Sequence, residues 1–357
     1  MSMKRVYNFN AGPAAMPLEV LNWMKDGFMD FGGMSILEIS HRSKEFQAVI
    51  DEARALLAEL MGVPETHDIL LLQGGAAQQF AVVPMNLMDR TADYAITGHW
   101  SKQALKEAQI VGEPKVIFTS EGENFTRVPR ASEIKPGPDA SYVHITTNNT
   151  IFGTEYYEYP DTGKVPLVAD MSSDILSRRM DISKFGLLYA GAQKNLGPAG
   201  VTVVVIRKDL LERSPRKLPV IFRYKTHSEK GSLYNTPPVF SIYTMMLYLR
   251  WVKSIGGVDE IERRNVKKAE MLYDAIDRCD LYKGTTEKAS RSRMNVTYVL
   301  PSQELTDKFV AGAKEKGIVG IKGHRSVGGI RASLYNAVSE DAVQALTGFM
   351  DEFRRNA

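Results

Sequence analysis

The sequence has little cysteine, few histidines and no long hydrophobic run. Of its 357 residues only Cys279 is a cysteine, which excludes an intrachain disulfide. The six histidines form neither an HExxH motif nor a Cys/His pair at metal-ligand spacing, so we expect no metal site. The most hydrophobic stretch, residues 201–206, is far shorter than the roughly 20 residues that span a membrane. Membrane-spanning, zinc-binding and disulfide-stabilised folds are therefore excluded.

The chain also lacks a large net charge of either sign. Basic residues number 45 and acidic residues 42, giving a net charge of +3. A chain this balanced is a poor candidate for nucleic-acid or anionic-membrane binding. The N-terminus carries two basic residues without an apolar run of signal-peptide length, so we expect a cytoplasmic protein.

Helix and strand patterns alternate through the first two thirds of the chain. Apolar residues recur every three or four positions over residues 46–61, which predicts a helix that ends at Gly62. The predicted strands cover residues 69–72, 94–97, 115–119, 142–146, 167–170, 187–190 and 201–206, and further helices cover residues 82–88 and 102–110. Such alternation predicts an α/β fold with a largely parallel sheet.

The pattern changes after about residue 240. Predicted helices cover residues 241–253, 259–277, 304–316 and 340–354, and predicted strands cover residues 294–300 and 329–334. Gly256 and Gly257 separate the first two of these helices. We therefore predict a large domain of residues 1–255 and a small C-terminal α+β domain of residues 256–357, with the first about 15 residues packing on the small domain.

Two charged residues follow short apolar strands in the middle of the chain. Lys194 lies among small residues just past residues 187–190, and Asp170 closes residues 167–170. Ligands bind at the carboxyl ends of strands in open α/β sheets. A Schiff-base lysine and a carboxylate that partners a pyridinium nitrogen are the two groups that a pyridoxal phosphate site requires. Taken singly, Lys194 could be a solvated loop residue and Asp170 a helix N-cap.

Two further segments match the other needs of such a cofactor. Residues 74–77, Gly-Gly-Ala-Ala, lie between a strand and a helix and offer backbone N–H groups to a phosphate. Trp100 follows a strand and offers a flat face to a ring. Each has a plainer alternative, a tight turn for the glycines and a core position for the tryptophan. Their combination in this order favours pyridoxal phosphate.

The chain resembles the phosphoserine aminotransferases, a class-V family of fold-type-I pyridoxal phosphate enzymes, from Asn8 to the last helix. The most specific stretches are residues 8–14, 40–46, 189–200, 235–238, 290–296 and 322–325. The resemblance implies an α/β fold with a mostly parallel central sheet in the large domain.

The resemblance also implies roles for individual residues. Lys194 matches the Schiff-base lysine, which moves the Cα proton, and Asp170 matches the partner of the pyridinium nitrogen. The other residues expected to bind pyridoxal 5'-phosphate are Ala76, Ala77, Trp100, Thr150, Gln193, Asn235 and Thr236. Asn235 and Thr236 match residues that reach the cofactor of the partner subunit, which implies a homodimer with shared active sites. Without the resemblance, residues 235–238 indicate only a rigid loop.

The implied reaction is the reversible transamination of 3-phosphohydroxypyruvate with glutamate, which gives O-phosphoserine and 2-oxoglutarate in serine biosynthesis. Both amino acids carry an α-carboxylate, but the distal group is a phosphate in one and a carboxylate in the other. Arginine binds either anion with two parallel hydrogen bonds. By resemblance, Arg331 binds the α-carboxylate. The residues expected at the distal anion are His41, Arg42, His324 and Arg325.

Two positions depart from the family pattern. Ala77 stands where some members carry an arginine that adds to the distal-anion clamp, and Ala11 stands where some carry a serine. Both changes affect expected substrate contacts and leave the cofactor chemistry intact. The sequence leaves open whether the phosphorylated four-carbon substrate of pyridoxine biosynthesis is also used.

Other functions fit the sequence less well. A cysteine desulfurase needs a nucleophilic cysteine, whereas Cys279 falls at the end of an amphipathic helix. A nicotinamide dehydrogenase would carry G-x-G-x-x-G after a strand, and no such motif occurs. A non-catalytic binding protein and another fold-type-I aminotransferase of small amino acids remain as alternatives.

Overall fold

A computed structural model describes residues 5–356 of the chain. Residues 1–4, part of the N-terminus in which we expect no secretion signal, lie outside the described residues. The strands are β1 (Tyr7–Asn8), β2 (His67–Leu72), β3 (Asp93–Ile96), β4 (Lys115–Thr119), β5 (Val143–Thr146), β6 (Asn148–Asn149), β7 (Thr154–Glu155), β8 (Leu167–Asp170), β9 (Leu187–Gly191), β10 (Thr202–Arg207), β11 (Lys283–Gly284), β12 (Asn295–Val299), β13 (Ile318–Val319) and β14 (Ile330–Ser333). The α-helices are α1 (Leu18–Met29), α2 (Lys44–Met61), α3 (Gly75–Leu87), α4 (His99–Val111), α5 (Tyr224–Glu229), α6 (Val239–Ser254), α7 (Gly257–Asp277), α8 (Gln303–Glu315) and α9 (Glu340–Asn356).

Seven strands form the central sheet, in the order β2-β10-β9-β8-β5-β3-β4. Strand β10 is antiparallel to both of its neighbours, and every other pairing within this sheet is parallel. Strands β5, β8 and β9 are buried along their whole length, as expected of a sheet covered on both faces. The predicted α/β fold with a largely parallel sheet is confirmed.

Side chains of successive sheet residues enter two different cores. Along β9, Leu188 and Ala190 join the core that contains α2 and α6, whereas Leu187 and Tyr189 join the core that contains α3 and α4. This alternation follows from the two-residue period of a strand. Because both faces of the sheet are covered, the polar residues associated with the strands are found at the strand ends.

Helix α2 shows how local sequence defines an element. Its apolar residues at the predicted three-and-four spacing are buried. The Ser43 hydroxyl accepts the N–H of Phe46 at 3.2 Å, which caps the N-terminus. The helix ends at Gly62, whose φ of 66° is the left-handed conformation that glycine adopts without steric cost.

The C-terminal part builds a separate core on the three-stranded sheet β11-β12-β14. Residues of α7, α8 and α9 pack into this core, and Phe9 joins it from the other end of the chain. Strand β1 pairs in parallel with β13, Tyr7 opposite Ile318. The division of the chain near residue 255 stays a prediction.

Several element boundaries predicted from the sequence are wrong. Helix α3 begins at Gly75 instead of residue 82, and α4 begins at His99 instead of residue 102. Apart from Trp100, the first turn of each helix consists of small or polar residues without apolar periodicity, so the predicted start comes a turn or two late. Helix α1 has no predicted counterpart, and Cys279 lies two residues beyond the end of α7. Among the described residues, no helix combines the length and apolarity needed to cross a membrane.

Candidate active site

Lys194 lies at the centre of a buried hydroxyl pair. It follows β9 by three residues, and its Nζ donates hydrogen bonds to Thr150 Oγ1 at 2.7 Å and to Ser173 Oγ at 2.8 Å. The two hydroxyls are themselves 2.6 Å apart and both are buried. The three side chains converge from the ends of β9, β6 and β8. They hold the amine of Lys194 at a fixed point above the strand ends.

Asp170 presents a buried carboxylate beside this amine. It is the last residue of β8, and its Oδ1 accepts the backbone N–H of Ser172 at 2.9 Å. Burial raises the pKa of Asp170, while the hydrogen bonds from Ser172 and the positive charge of Lys194 lower it. A carboxylate in this setting is stabilised by any further cationic N–H group.

The N-terminus of α3 offers backbone donors that no side chain caps. Gly74 and Gly75 have φ values of 91° and 69°, which turn the chain sharply from β2 into the helix. The helix has no side-chain cap at this end, and a Cβ built on Gly75 meets no atom within 4 Å. The first N–H groups of α3, including those of Ala76 and Ala77, therefore have no side-chain cap and are suited to bind an anion.

Trp100 lies in the first turn of α4 with its indole partly buried. The indole Nε1 is buried without a hydrogen-bond partner among residues 5–356. The ring packs against Phe80, with centroids 6.5 Å apart. Gly98, just before the helix, allows this close turn because a Cβ there would lie 2.7 Å from Asn149 Oδ1.

The N-terminal segment closes over the lysine. A Cβ on Gly12 would lie 3.4 Å from Lys194 Cγ and 3.7 Å from Gln193 Cγ. The backbone N–H of Ala14 donates to the carbonyl of Gln193 at 2.9 Å, and the carbonyl of Ala11 accepts the hydroxyl of Tyr335 at 2.9 Å. Residues 11–14 therefore bridge the Lys194 loop and the C-terminal part of the chain.

Arg331 points a free guanidinium at a neighbouring cavity. It lies on β14, and a cavity of about 420 Å³ between it and the N-terminal segment is lined by Asn10, Ala11, Gly12 and Lys322 among others. Its Nε is buried without a partner in the described chain, and no carboxylate pairs with it there. Burial lowers the pKa of Arg331. An uncompensated cation beside a cavity is suited to bind an anion.

His324 lies close to Arg331. Its Nδ1 accepts the backbone N–H of Ser326 at 3.3 Å and lies 2.7 Å from the hydroxyl of the same residue, which leaves Nε2 available. Burial lowers the pKa of His324, and the charges of Arg331, His99 and Arg325 lower it further. Three of the predicted substrate residues, His324, Arg325 and Arg331, thus form one cationic group.

The structure does not bring the other predicted residues into contact with Lys194. No hydrogen bond or ion pair within residues 5–356 joins His41 or Arg42 to Lys194 or His324. The imidazole Nε2 of His41 is buried without a partner in that range, and Arg42 is exposed. The Asn235–Thr236 loop lies against the segment before α3, because Gln73 Nε2 donates to the carbonyl of Thr236 at 2.7 Å. Cys279 accepts the N–H of Leu281 at 3.4 Å and packs on the C-terminal core.

Two serines of the site, Ser172 and Ser173, were not identified from the sequence. Ser173 binds the Lys194 amine, and Ser172 supports Asp170 while its hydroxyl accepts the N–H of Gly191 at 3.2 Å. They lie two and three residues beyond the strand that ends at Asp170. Their position at the carboxyl end of a buried strand was a usable signal.

The comparisons with known proteins agree with this geometry. The family model for class-V aminotransferases matches residues 6–346. A phosphoserine aminotransferase of Geobacillus kaustophilus is 56% identical over 358 residues, covering 99% of each chain. The solved phosphoserine aminotransferase of Bacillus circulans subsp. alkalophilus has a TM-score of 0.97 at 50% identity over 99% of each chain. The pyridoxal phosphate-bound phosphoserine aminotransferase of Trichomonas vaginalis has a TM-score of 0.93 at 37% identity, covering 97% of this chain and all of that one.

Proposed function

The chain belongs to the class-V aminotransferase family, and from this premise we propose that it transfers an amino group between glutamate and 3-phosphohydroxypyruvate. The products are 2-oxoglutarate and O-phosphoserine, and the reaction serves serine biosynthesis. The observation that carries this function is the identity above 50% to phosphoserine aminotransferases over nearly the full length of both chains. The lysine, carboxylate and cation groups fit the same reaction.

Pyridoxal 5'-phosphate is the cofactor of this enzyme, and the residues present fit it. The buried carboxylate of Asp170 suits a protonated ring nitrogen, and the uncapped N-terminus of α3 suits the phosphate. Trp100 would lie against the ring, and Gln193 and Thr150 beside it. When bound, the cofactor accepts the electrons that the substrate releases on losing its Cα proton.

The residues of the chain handle the proton. Lys194 takes the proton from the substrate Cα as general base and returns it as general acid. Thr150 and Ser173 fix its amine, because both hydroxyls lie within 2.8 Å of Nζ. Asp170 keeps the proton on the ring nitrogen. Residues 11–14 cover the lysine and help to exclude water.

Cations bind the two ends of the substrate. Arg331 binds the α-carboxylate that both amino acids share, and His324 and Arg325 bind the distal anion. We assign His41 and Arg42 to the same distal anion across the subunit interface, together with Asn235 and Thr236 at the partner's cofactor phosphate. This assignment is supported by the lack of any described contact between His41 or Arg42 and Lys194 of their own chain.

A homodimer follows from that assignment. Apolar side chains that are exposed in the single chain, such as Met29 at 74% and Leu37 at 56%, offer area for such an interface. Because residue 77 is an alanine, no arginine at the N-terminus of α3 contacts the distal anion. The other cations therefore bind that anion. The same cations could also bind the phosphorylated four-carbon substrate of pyridoxine biosynthesis. A cytoplasmic location is compatible with the charge balance of the chain.

The test is a labelling and turnover experiment on the purified holoenzyme. We expect visible absorbance that borohydride abolishes, with the label on Lys194, and a Lys194→Ala variant should lose turnover by several orders of magnitude, about what loss of a catalytic group costs. Lys184→Ala, which removes an exposed lysine near the same sheet, is the matched control and should retain full turnover. Near-normal turnover of Lys194→Ala would contradict the assignment of Lys194 as the catalytic lysine.

A substrate panel separates the alternatives. Glutamate formation from O-phosphoserine and 2-oxoglutarate should greatly exceed that from serine, because serine lacks the distal anion. Preference for serine or another small unphosphorylated amino acid would favour a different aminotransferase activity while leaving the cofactor unchanged.

A further inference from the structure

His99 lies directly beside the cationic group and has no role in the function described above. It is the first residue of α4, next to Trp100, and its ring centroid lies 6.2 Å from that of His324. The His99 ring also stands edge-on to the Trp100 indole, with centroids 4.9 Å apart. The position thus links the ring-stacking residue to the segment that carries Arg325.

The charged side chains around the two imidazoles are positive. Lys106 and Lys102, on α4, act on His99, and Arg331 and Arg325 act on the neighbouring His324. Lys102 is engaged by Glu121. No described carboxylate forms an ion pair with either histidine or with the two arginines. A protein stabilises such a concentration of like charge by binding an anion there.

We propose that His99 is a further specificity-determining residue, which contacts the distal anion of the substrate together with His324 and favours a phosphate dianion over a carboxylate. The proposal rests on the proposed function, because that function supplies both anions at one site. It also explains how the chain manages without an arginine at Ala77. His99 would supply a switchable positive charge to the same distal anion that such an arginine would bind.

Protonation provides the discrimination. Burial and the charges of Lys106 and Lys102 lower the pKa of His99, and burial and Arg331 lower the pKa of His324. Both shifts favour the neutral imidazole in the free enzyme. A phosphate carries close to two negative charges at pH 7, whereas a carboxylate carries one. The dianion stabilises a proton on the imidazole more strongly, so phosphate binding is coupled to proton uptake.

The first experiment compares KM values of the holoenzyme for O-phosphoserine and glutamate. His99→Asn should raise KM for O-phosphoserine by about tenfold, the cost of one charge-assisted hydrogen bond, with less than about a twofold change for glutamate. Lys115→Gln removes an exposed positive charge that does not contribute to the pKa shift of His99, and it should change neither KM by more than about twofold. Equal rises for both substrates, or no rise for O-phosphoserine, would overturn the proposal.

The second experiment does not depend on turnover. Inorganic phosphate is added to the holoenzyme in weak buffer with a pH indicator at about pH 7.5, and proton uptake per bound phosphate is measured. We expect the parent to take up protons and His99→Asn to take up clearly fewer. Equal uptake by the two proteins contradicts the role of His99. Failure of the parent to turn over O-phosphoserine would instead reject the proposed function, and the phosphate titration would still decide whether His99 senses an anion.

Discussion

The unpaired guanidinium of Arg331 allows a prediction in which a substitution lowers activity while stability is kept or raised. Its Nε is buried without a partner in the described chain, and burial lowers the pKa of Arg331. The folded protein therefore holds a cation in a partly dehydrated position without a counter-charge. We expect the α-carboxylate of either substrate to supply that charge through two parallel hydrogen bonds.

The size of the effect follows from those two hydrogen bonds. Each charge-assisted bond contributes ~1.5–3 kcal/mol, so Arg331→Lys, which keeps the charge and loses the fork, should lower kcat/KM by about 10- to 150-fold. Arg331→Gln loses both bonds and should lower kcat/KM by about two to four orders of magnitude. Because both amino acids share the α-carboxylate, the losses should be similar for O-phosphoserine and glutamate.

Denaturant unfolding provides the opposing measurement. Removing an uncompensated cation should leave the free energy of unfolding within about 0.5 kcal/mol of the parent or raise it. Arg130→Gln, at an exposed arginine without a described ion pair, serves as the control for both assays. The reasoning fails if Arg331→Gln keeps kcat/KM within about threefold of the parent, or if it loses stability together with activity.

Two further predictions concern the strand end at Asp170. Ser173→Ala removes one acceptor of the Lys194 amine and should lower kcat by about tenfold in steady-state assays, with Thr150 retaining the other bond; an unchanged kcat would argue against positioning by Ser173. Asp174 is fully buried, and burial raises its pKa above the ordinary carboxyl value, so its contribution to stability is lost as pH rises through the folded pKa. Asp174→Asn should therefore unfold at a higher temperature relative to the parent at pH 8 than at about pH 5; a difference independent of pH would contradict this.

The sequence pattern alone predicted those elements in which all apolar residues pack against the same core. Helix α2 has a regular apolar face, a serine cap and a terminal glycine, so its pattern and its structure agree. Helix α3 begins two turns before its predicted start because its first residues, Gly-Ala-Ala-Gln-Gln, are small or polar and form no apolar pattern. Strand β10 was identified, but its antiparallel direction depends on the return of the chain after Lys194.

Some residues of the candidate site could likewise be identified from local sequence, and others only from the three-dimensional structure. Lys194 and Asp170 were identified because each follows a buried apolar strand, and Ser173 could have been identified by the same rule. The proximity of His99 to His324 joins residues more than 200 positions apart, and no local pattern carries that information. The absence of a counter-ion at Arg331 is likewise visible only when the surroundings are known in three dimensions.

The antiparallel direction of β10 has a consequence for how this chain tolerates change. Because β9 and β10 are paired neighbours, the Lys194 loop is a hairpin closed by the bond from Ala192 N–H to the Val201 carbonyl at 3.0 Å. Both stems lie inside the central sheet, so an added residue in the loop cannot be absorbed at the surface and would displace the lysine from its hydroxyl partners. Among homologous chains, the length of this loop should therefore vary far less than that of the exposed connection between β4 and β5.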